Sequence, residues 1–243
     1  MKLFKKPCPT WPLPVMLLWS WCMINPPSGL GQKVQTIDRH SVSWNRYYLM
    51  WTFQPEWTFH QEIDYRFFLE TGAWHQLALH THVHYRTSSE IELALGISRM
   101  ENGDATPSQR NSPHQVEWRT FQEFHFPTPL PTPFSLSHRY RIEQRYVKNS
   151  AAPFVWRGRY RLQFNWTLPN SRWIIHASNE AFINWGRNIS SVFDQNRTYV
   201  GLSYVFSWKL RLEAGYLMQW QQAGRPNLLY LRNVGRISVY HRL

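Results

Sequence analysis

The sequence predicts an all-β protein: a single antiparallel transmembrane β-barrel of about twelve strands, with a polar, charged lumen and an aromatic side turned to lipid. Three observations carry that prediction. First, residues 134–168 divide into two alternating sets. Arg139, Arg141, Glu143 and Arg145, then Arg157, Arg159, Arg161 and Gln163, leave one side of the pleat; Leu136, Tyr140 and Ile142, then Trp156, Tyr160, Leu162 and Phe164, leave the other. A period of two marks a strand, whose successive side chains point to opposite faces. Second, the polar face is a ladder of arginines. Like charges on neighbouring strands repel, but in a closed interior carboxylates from other strands can pair with them, and the aromatic face then meets lipid. Third, beyond residue 30 no run approaches the roughly 18 uncharged apolar residues of a spanning helix.

Residues 1–31 read as a secretory signal peptide. Lys2, Lys5 and Lys6 make a positive start, WPLPVMLLWSWCMI at 11–24 a short apolar run, and Ser28, Gly29 and Gly31 small residues that favour cleavage before Gln32. Pro12 and Pro14 argue against an anchoring helix. Both cysteines, Cys8 and Cys22, fall in this leader. The mature chain therefore has no disulfide framework, thiol nucleophile or cysteine-held metal. Trp21 is too bulky to precede a lipoprotein cleavage at Cys22. The formal charge of +12 falls to +9 once the leader's three lysines are removed. The remaining bases are spread over many strands, with no helix, finger or lysine-rich tail to present them, so nucleic acid is not expected as a partner.

Residues 32–40 are weakly patterned and read as a linker or a short strand ahead of a barrel over 41–243. Residues 42–54 close on the turn Gln54-Pro55-Glu56. Over 57–69, Trp57, Phe59, Ile63, Tyr65 and Phe67 oppose Thr58, His60, Glu62, Asp64 and Arg66. Over 74–86, Leu77, Leu79, Val83 and Tyr85 oppose Gln76, His80, His82, His84 and Arg86. Over 90–99, Ile91, Leu93, Leu95 and Ile97 oppose Glu90, Glu92, Ala94 and Ser98. A polar loop at 100–114 precedes 115–126, where Val116, Trp118, Phe124 and Phe126 oppose Glu117, Arg119, Glu123 and His125. The proline-rich 127–133 connects to the arginine strands, because proline cannot sit in a central ladder. Residues 172–185, 196–206, 209–221 and 227–243 continue the alternation to the end of the chain. About eleven strands are clear, and an even count requires 32–40 to supply the twelfth. Tight turns at 54–57, 87–89, 169–171 and 207–208 alternate with longer loops at 100–114, 148–153, 186–195 and 221–227. Bacterial barrels show this asymmetry, with the tight turns on the periplasmic side.

Several blocks resemble the DUF2490 family. Trp44 with Tyr47 to Phe53, then Pro55-Glu56-Trp57 and Tyr65-Arg66-Phe67-Phe68, are similar to its start; HRYRIEQR at 138–145, RGRYRLQ at 157–163, Asn179-Glu180, FDQNRTYVGLSYVFS at 193–207 and Leu212 to Tyr216 are similar to its later blocks. The resemblance spans roughly residues 41–243 and implies a bacterial outer-membrane barrel of unknown function.

The candidate site is the lumen charge lattice: Arg139, Arg141, Glu143, Arg145, Arg157, Arg159, Arg161, Glu180, Arg197, Arg211 and Glu213. Glu62, Asp64, Glu90, Glu92, Glu117 and Glu123 are expected to face it too. Strands about 4.8 Å apart let such residues bridge. An excess of arginine over acid favours anions in any pathway. The expected function is a narrow pore for small anionic solutes, or a structural barrel that the lattice stiffens. The alternative is an outer-membrane hydrolase or acyltransferase acting on lipid or envelope substrate, since His176, Ser178 and Glu180 share one face. No G-x-S-x-G elbow supports it. His80, His82 and His84 are weak metal candidates, aligned on one strand with no carboxylate or cysteine beside them in sequence. No cofactor and no catalytic residue are expected. The expected setting is the bacterial outer membrane, reached through a cleaved signal peptide, with outer-membrane lipid and the barrel-assembly machinery as partners of a monomer.

Overall fold

The alternation of the sequence becomes an alternation of burial. Along residues 117–124, Glu117, Arg119, Phe121 and Glu123 are buried while Trp118, Thr120, Gln122 and Phe124 are exposed. The charged parity is the hidden one and the apolar parity the open one: Glu143 is 1% exposed, whereas Leu95 is 66% and Ile237 55% exposed.

The structure is a computed structural model, and it describes residues 36–243 except 89, 109–113, 149, 151 and 224–226. The expected signal peptide and residues 32–35 lie outside the described residues. The strands are β1 (Thr36–Gln54), β2 (Trp57–Phe68), β3 (Trp74–Arg86), β4 (Glu92–Asn102), β5 (Gln115–Thr128), β6 (Phe134–Val147), β7 (Phe154–Thr167), β8 (Trp173–Trp185), β9 (Phe193–Val205), β10 (Leu210–Gln222) and β11 (Leu228–Arg242). They close into one barrel in which each strand pairs with its neighbours in sequence and β1 pairs with β11. No helix among the described residues is long and apolar enough to cross a membrane.

Two expectations are corrected. The described barrel has eleven strands rather than about twelve, and it is mixed rather than wholly antiparallel. Residues 36–40 do not form a strand of their own. They run on into residues 41–54 as one strand of 19 residues, with no Gly or Pro between Thr36 and Gln54 to turn the chain. The parallel seam follows from the count. Strands of an up-and-down barrel alternate in direction, so with an odd number the first and last run the same way. β1 and β11 pair in parallel from Thr36↔Leu228 to Met50↔Arg242.

One end of the barrel carries the short connections at 55–56, 87–91, 129–133, 168–172 and 206–209, together with Leu243. The other carries 69–73, 103–114, 148–153, 186–192 and 223–227, together with Thr36. Asn170, Asn188 and Asn227 take positive φ at these turns, a conformation asparagine tolerates better than most residues. Glu90 does so as well (φ 61°) and is exposed, so it sits in the β3–β4 turn and not on the lumen wall.

Part of the interior is apolar. Val42, Trp44, Phe68, Tyr199, Leu217 and Val234 form a cluster inside the barrel. Glycine makes room for Tyr199. A Cβ at Gly215 would stand 2.6 Å from the Tyr199 ring and 2.5 Å from the Val200 carbonyl oxygen, and one at Gly201 would strike the same ring. Phe121 lies over Gly96 in the same way.

Candidate functional site

Strand parity turns the arginines inward, and register decides what each one meets. Directly opposed pairs are often alike: Arg139 faces Arg161, Arg141 faces Arg159, and Arg119 faces Arg145. Acids entering diagonally offset this. Glu143 has Arg159 at 2.7 Å, Arg119 and Arg141 at 3.5 Å and Arg157 at 3.7 Å. Glu180 accepts hydrogen bonds from Arg139 and from Arg159 (Nη2 at 2.8 Å). Glu123 pairs with Arg141 and holds His125 at 2.6 Å. Glu117 joins Arg119 (2.8 Å) to Arg145, and Asp64 joins Arg46 (2.8 Å) to Arg66 (3.2 Å). Glu213 accepts from Arg236 (2.6 Å) and from the Tyr199 hydroxyl (2.8 Å). All these acids are buried.

The lattice encloses a polar cavity of about 700 Å³. Arg139, Arg141, Arg145, Arg157, Arg159, Arg161, Glu180, Arg197, Arg211 and Glu213 line it; Glu143 lies behind that surface, fully hidden. Among the described residues Arg161, Arg197 and Arg211 make no ion pair. Arg197 packs instead between the Trp44 and Phe182 rings (5.2 and 4.7 Å), and Arg211 over Tyr240 (4.0 Å). The Nε groups of Arg161 and Arg197 are buried without a hydrogen-bond partner. Towards the end that carries the longer loops, residues 104–105 turn into the mouth. Arg232 donates to the Ala105 carbonyl (3.1 Å), and a His75 ring nitrogen lies 2.8 Å from that of Asp104.

A smaller cavity of about 350 Å³ opens at the end with the short turns. Among the described residues it shares none of its lining with the large one. Tyr48, Glu62 and Tyr240 line the large cavity, and Met50, His60 and Arg242, two positions along the same strands, line the small one. Between the two lie the stacked rings of Tyr48 and Tyr240 (5.2 Å), and His60 edge-on to Tyr48 (6.2 Å).

The three aligned histidines part company. His80 lies against Ser98 (2.6 Å) and towards Asp64. His82 and His84 meet His60 of the neighbouring strand, each of the three offering a nitrogen within 4.8 Å of the others. The alternation places His60 on the inward face of β2, but pairing across strands does not show in it. The trio His176, Ser178 and Glu180 does not converge. His176 sits between the Asn165 side-chain oxygen (2.7 Å) and the Ser203 hydroxyl (2.6 Å), and Glu180 is held by arginines. This Ser203–His176–Asn165 chain has the order of nucleophile, base and orienting group. Ser203, however, is 0% exposed, which leaves no room for a substrate carbonyl. Reading by alternation also passes over the inward aromatic residues Trp44, Phe121, Phe182 and Tyr199, because an apolar residue at an inward position looks like an interruption of the pattern.

A family model described as a protein of unknown function, DUF2490, matches residues 42–229. No curated protein matches the chain.

Proposed function

The chain belongs to the DUF2490 family, and from that premise we propose that it is a bacterial outer-membrane β-barrel whose arginine-rich lumen takes in small anionic solutes. The observation that carries the proposal is the set of arginines left over. Arg161, Arg197 and Arg211 face the cavity with no carboxylate to pair with among the described residues. Among the described residues, thirteen arginines and six carboxylates line that cavity, so the field within it favours an anion. Counting the paired acids behind the lining, Glu123, Glu143 and Asp194, leaves the bases still in excess.

The membrane setting rests on dimensions and on the outer surface. A strand of 13 residues such as β8, rising about 3.3 Å per residue and tilted by about 40°, covers roughly 33 Å along the axis. A hydrocarbon layer is about 30 Å thick. The exposed aliphatic and aromatic side chains of β4, β6 and β9 match a lipid-facing band and would be a liability in water. Lipid and the barrel-assembly machinery are the partners this reading implies. A solute that crosses has to pass the layer of Tyr48, Tyr240, His60 and His82 between the two cavities.

Planar-bilayer recordings of the refolded chain test the proposal. The expected result is a small conductance with reversal potentials favouring anions. Arg161→Gln and Arg211→Gln should reduce that selectivity several-fold while melting stays within about 1 kcal/mol of the parent, as expected for bases that hold no ion pair. These positions are better probes than Arg141 or Arg159, whose removal leaves Glu123, Glu143 or Glu180 underpaired. A silent wild-type protein, or selectivity indifferent to both substitutions, would overturn the anion pathway.

A further inference from the structure

We propose that His60, His82 and His84 form a binding site for a divalent first-row transition-metal ion of the zinc class, at the neck between the two cavities. Imidazole suits such ions, and the three rings come from adjacent strands. Their centroids are 4.0 Å apart for His60–His84, 4.7 Å for His82–His84 and 5.0 Å for His60–His82.

Three features separate this cluster from lumen histidines that merely share protons. His82 Nδ1 and His84 Nε2 face each other at 2.5 Å, so the near nitrogens of the two rings converge on one point. The far nitrogen of each ring lies on a carboxylate: His82 Nε2 at 3.1 Å from Glu62 and His84 Nδ1 at 2.5 Å from Glu92. Metal-bound histidines are held from behind in this way, which fixes the tautomer and turns the near lone pair towards the ion. His60 Nδ1 is buried and has no hydrogen-bond partner among the described residues, so the third donor is unspent.

Tetrahedral zinc with bonds of about 2.0–2.1 Å keeps its nitrogens roughly 3.3 Å apart. The cluster reaches that spacing if the His82–His84 pair, now at 2.5 Å, opens by about 0.8 Å and His60, within 4.8 Å of both, closes by at most about 1.5 Å. Three protein ligands leave a fourth position open. The small cavity, lined by Thr58, Glu92, Arg242, His60 and His84, gives that position a route to the barrel mouth. Other donor sets are committed elsewhere. Glu62, Asp64 and His80 stand among Arg46 and Arg66, and Glu92 already holds Arg86.

The test is titration of the metal-stripped, refolded full chain, without a histidine tag, with zinc chloride against a chromophoric chelator. One equivalent should bind. His60→Gln and His84→Gln should each weaken binding about a hundredfold or more, and Glu92→Gln, behind His84, by about tenfold to a hundredfold. His114→Gln, on the loop before β5, should change nothing. Copper(II) in the wild-type protein should show hyperfine coupling to three nitrogens, a readout that does not depend on any variant folding. Absence of stoichiometric zinc binding, binding that survives both His60→Gln and His84→Gln, or a copper spectrum of oxygen ligands alone would overturn the site. The titration reads the same whether or not the barrel conducts.

Discussion

Glu143 shows at the scale of one residue why so many arginines can share an interior. It is hidden from solvent and has four guanidinium groups within 4 Å. Removing its charge leaves four desolvated cations with too few counter-charges. Breaking such a buried arrangement costs about 3–5 kcal/mol, because the survivors cannot be rehydrated. Glu143→Gln should therefore lower the unfolding free energy of the refolded protein by an amount in that range, seen as a shifted denaturation midpoint. Glu101, paired with the half-exposed Arg99 at the rim of β4, offers the contrast; Glu101→Gln should cost less than about 1 kcal/mol. Equal midpoints for the two variants would show that the lattice is wet throughout and adds little to stability.

An element of this barrel is a two-sided object, and β7 shows both sides in adjacent residues. Gln163 lines the large cavity, while Leu162 belongs to the opposite face. If the outer face meets lipid, Leu162→Arg should cost roughly 2–4 kcal/mol near the midplane, and Gln163→Arg far less. Leu212, close to the start of β10, lies nearer the rim and should tolerate arginine better than Leu162, since the cost falls towards the interface. Unfolding titrations in lipid vesicles measure all three. Equal costs at 162 and 163 would argue against a membrane around the barrel.

For the whole molecule, the seam is the feature to probe. With β1 and β11 in parallel, Asn45 stands opposite Ile237. The double substitution Asn45→Cys and Ile237→Cys should form a disulfide under mild oxidation and raise resistance to denaturation. Asn45→Cys with Leu229→Cys, eight positions out of register, should not cross-link. Cross-linking in the second pair alone would mean a different closure. The odd count also puts Thr36 and Leu243 at opposite ends of the described barrel.

Strand existence and facing were legible in the sequence, because both depend on a local property. Successive side chains leave opposite faces, so parity alone assigns Arg139, Arg141 and Arg145 to one side and Tyr140 and Ile142 to the other. The existence and approximate bounds of β2 to β10 follow from the same alternation and its turn residues. However, β4 runs on to Asn102, β5 takes in Pro127 and Thr128, and β9 starts at Phe193, all within stretches that read as loops or connector in the sequence. Register, closure and pairing could be decided only in three dimensions. Whether residues 36–40 begin a twelfth strand or lengthen β1 depends on a partner almost two hundred residues away, at Leu228–Arg232. The same non-locality places His60 beside His84 while sending His80 to Ser98, makes Glu143 the acid shared by four arginines, and leaves Arg161 and Arg211 with none. Parity is carried by each residue and its neighbours in sequence, whereas a register is a relation between distant strands, set by the ring that all eleven close together.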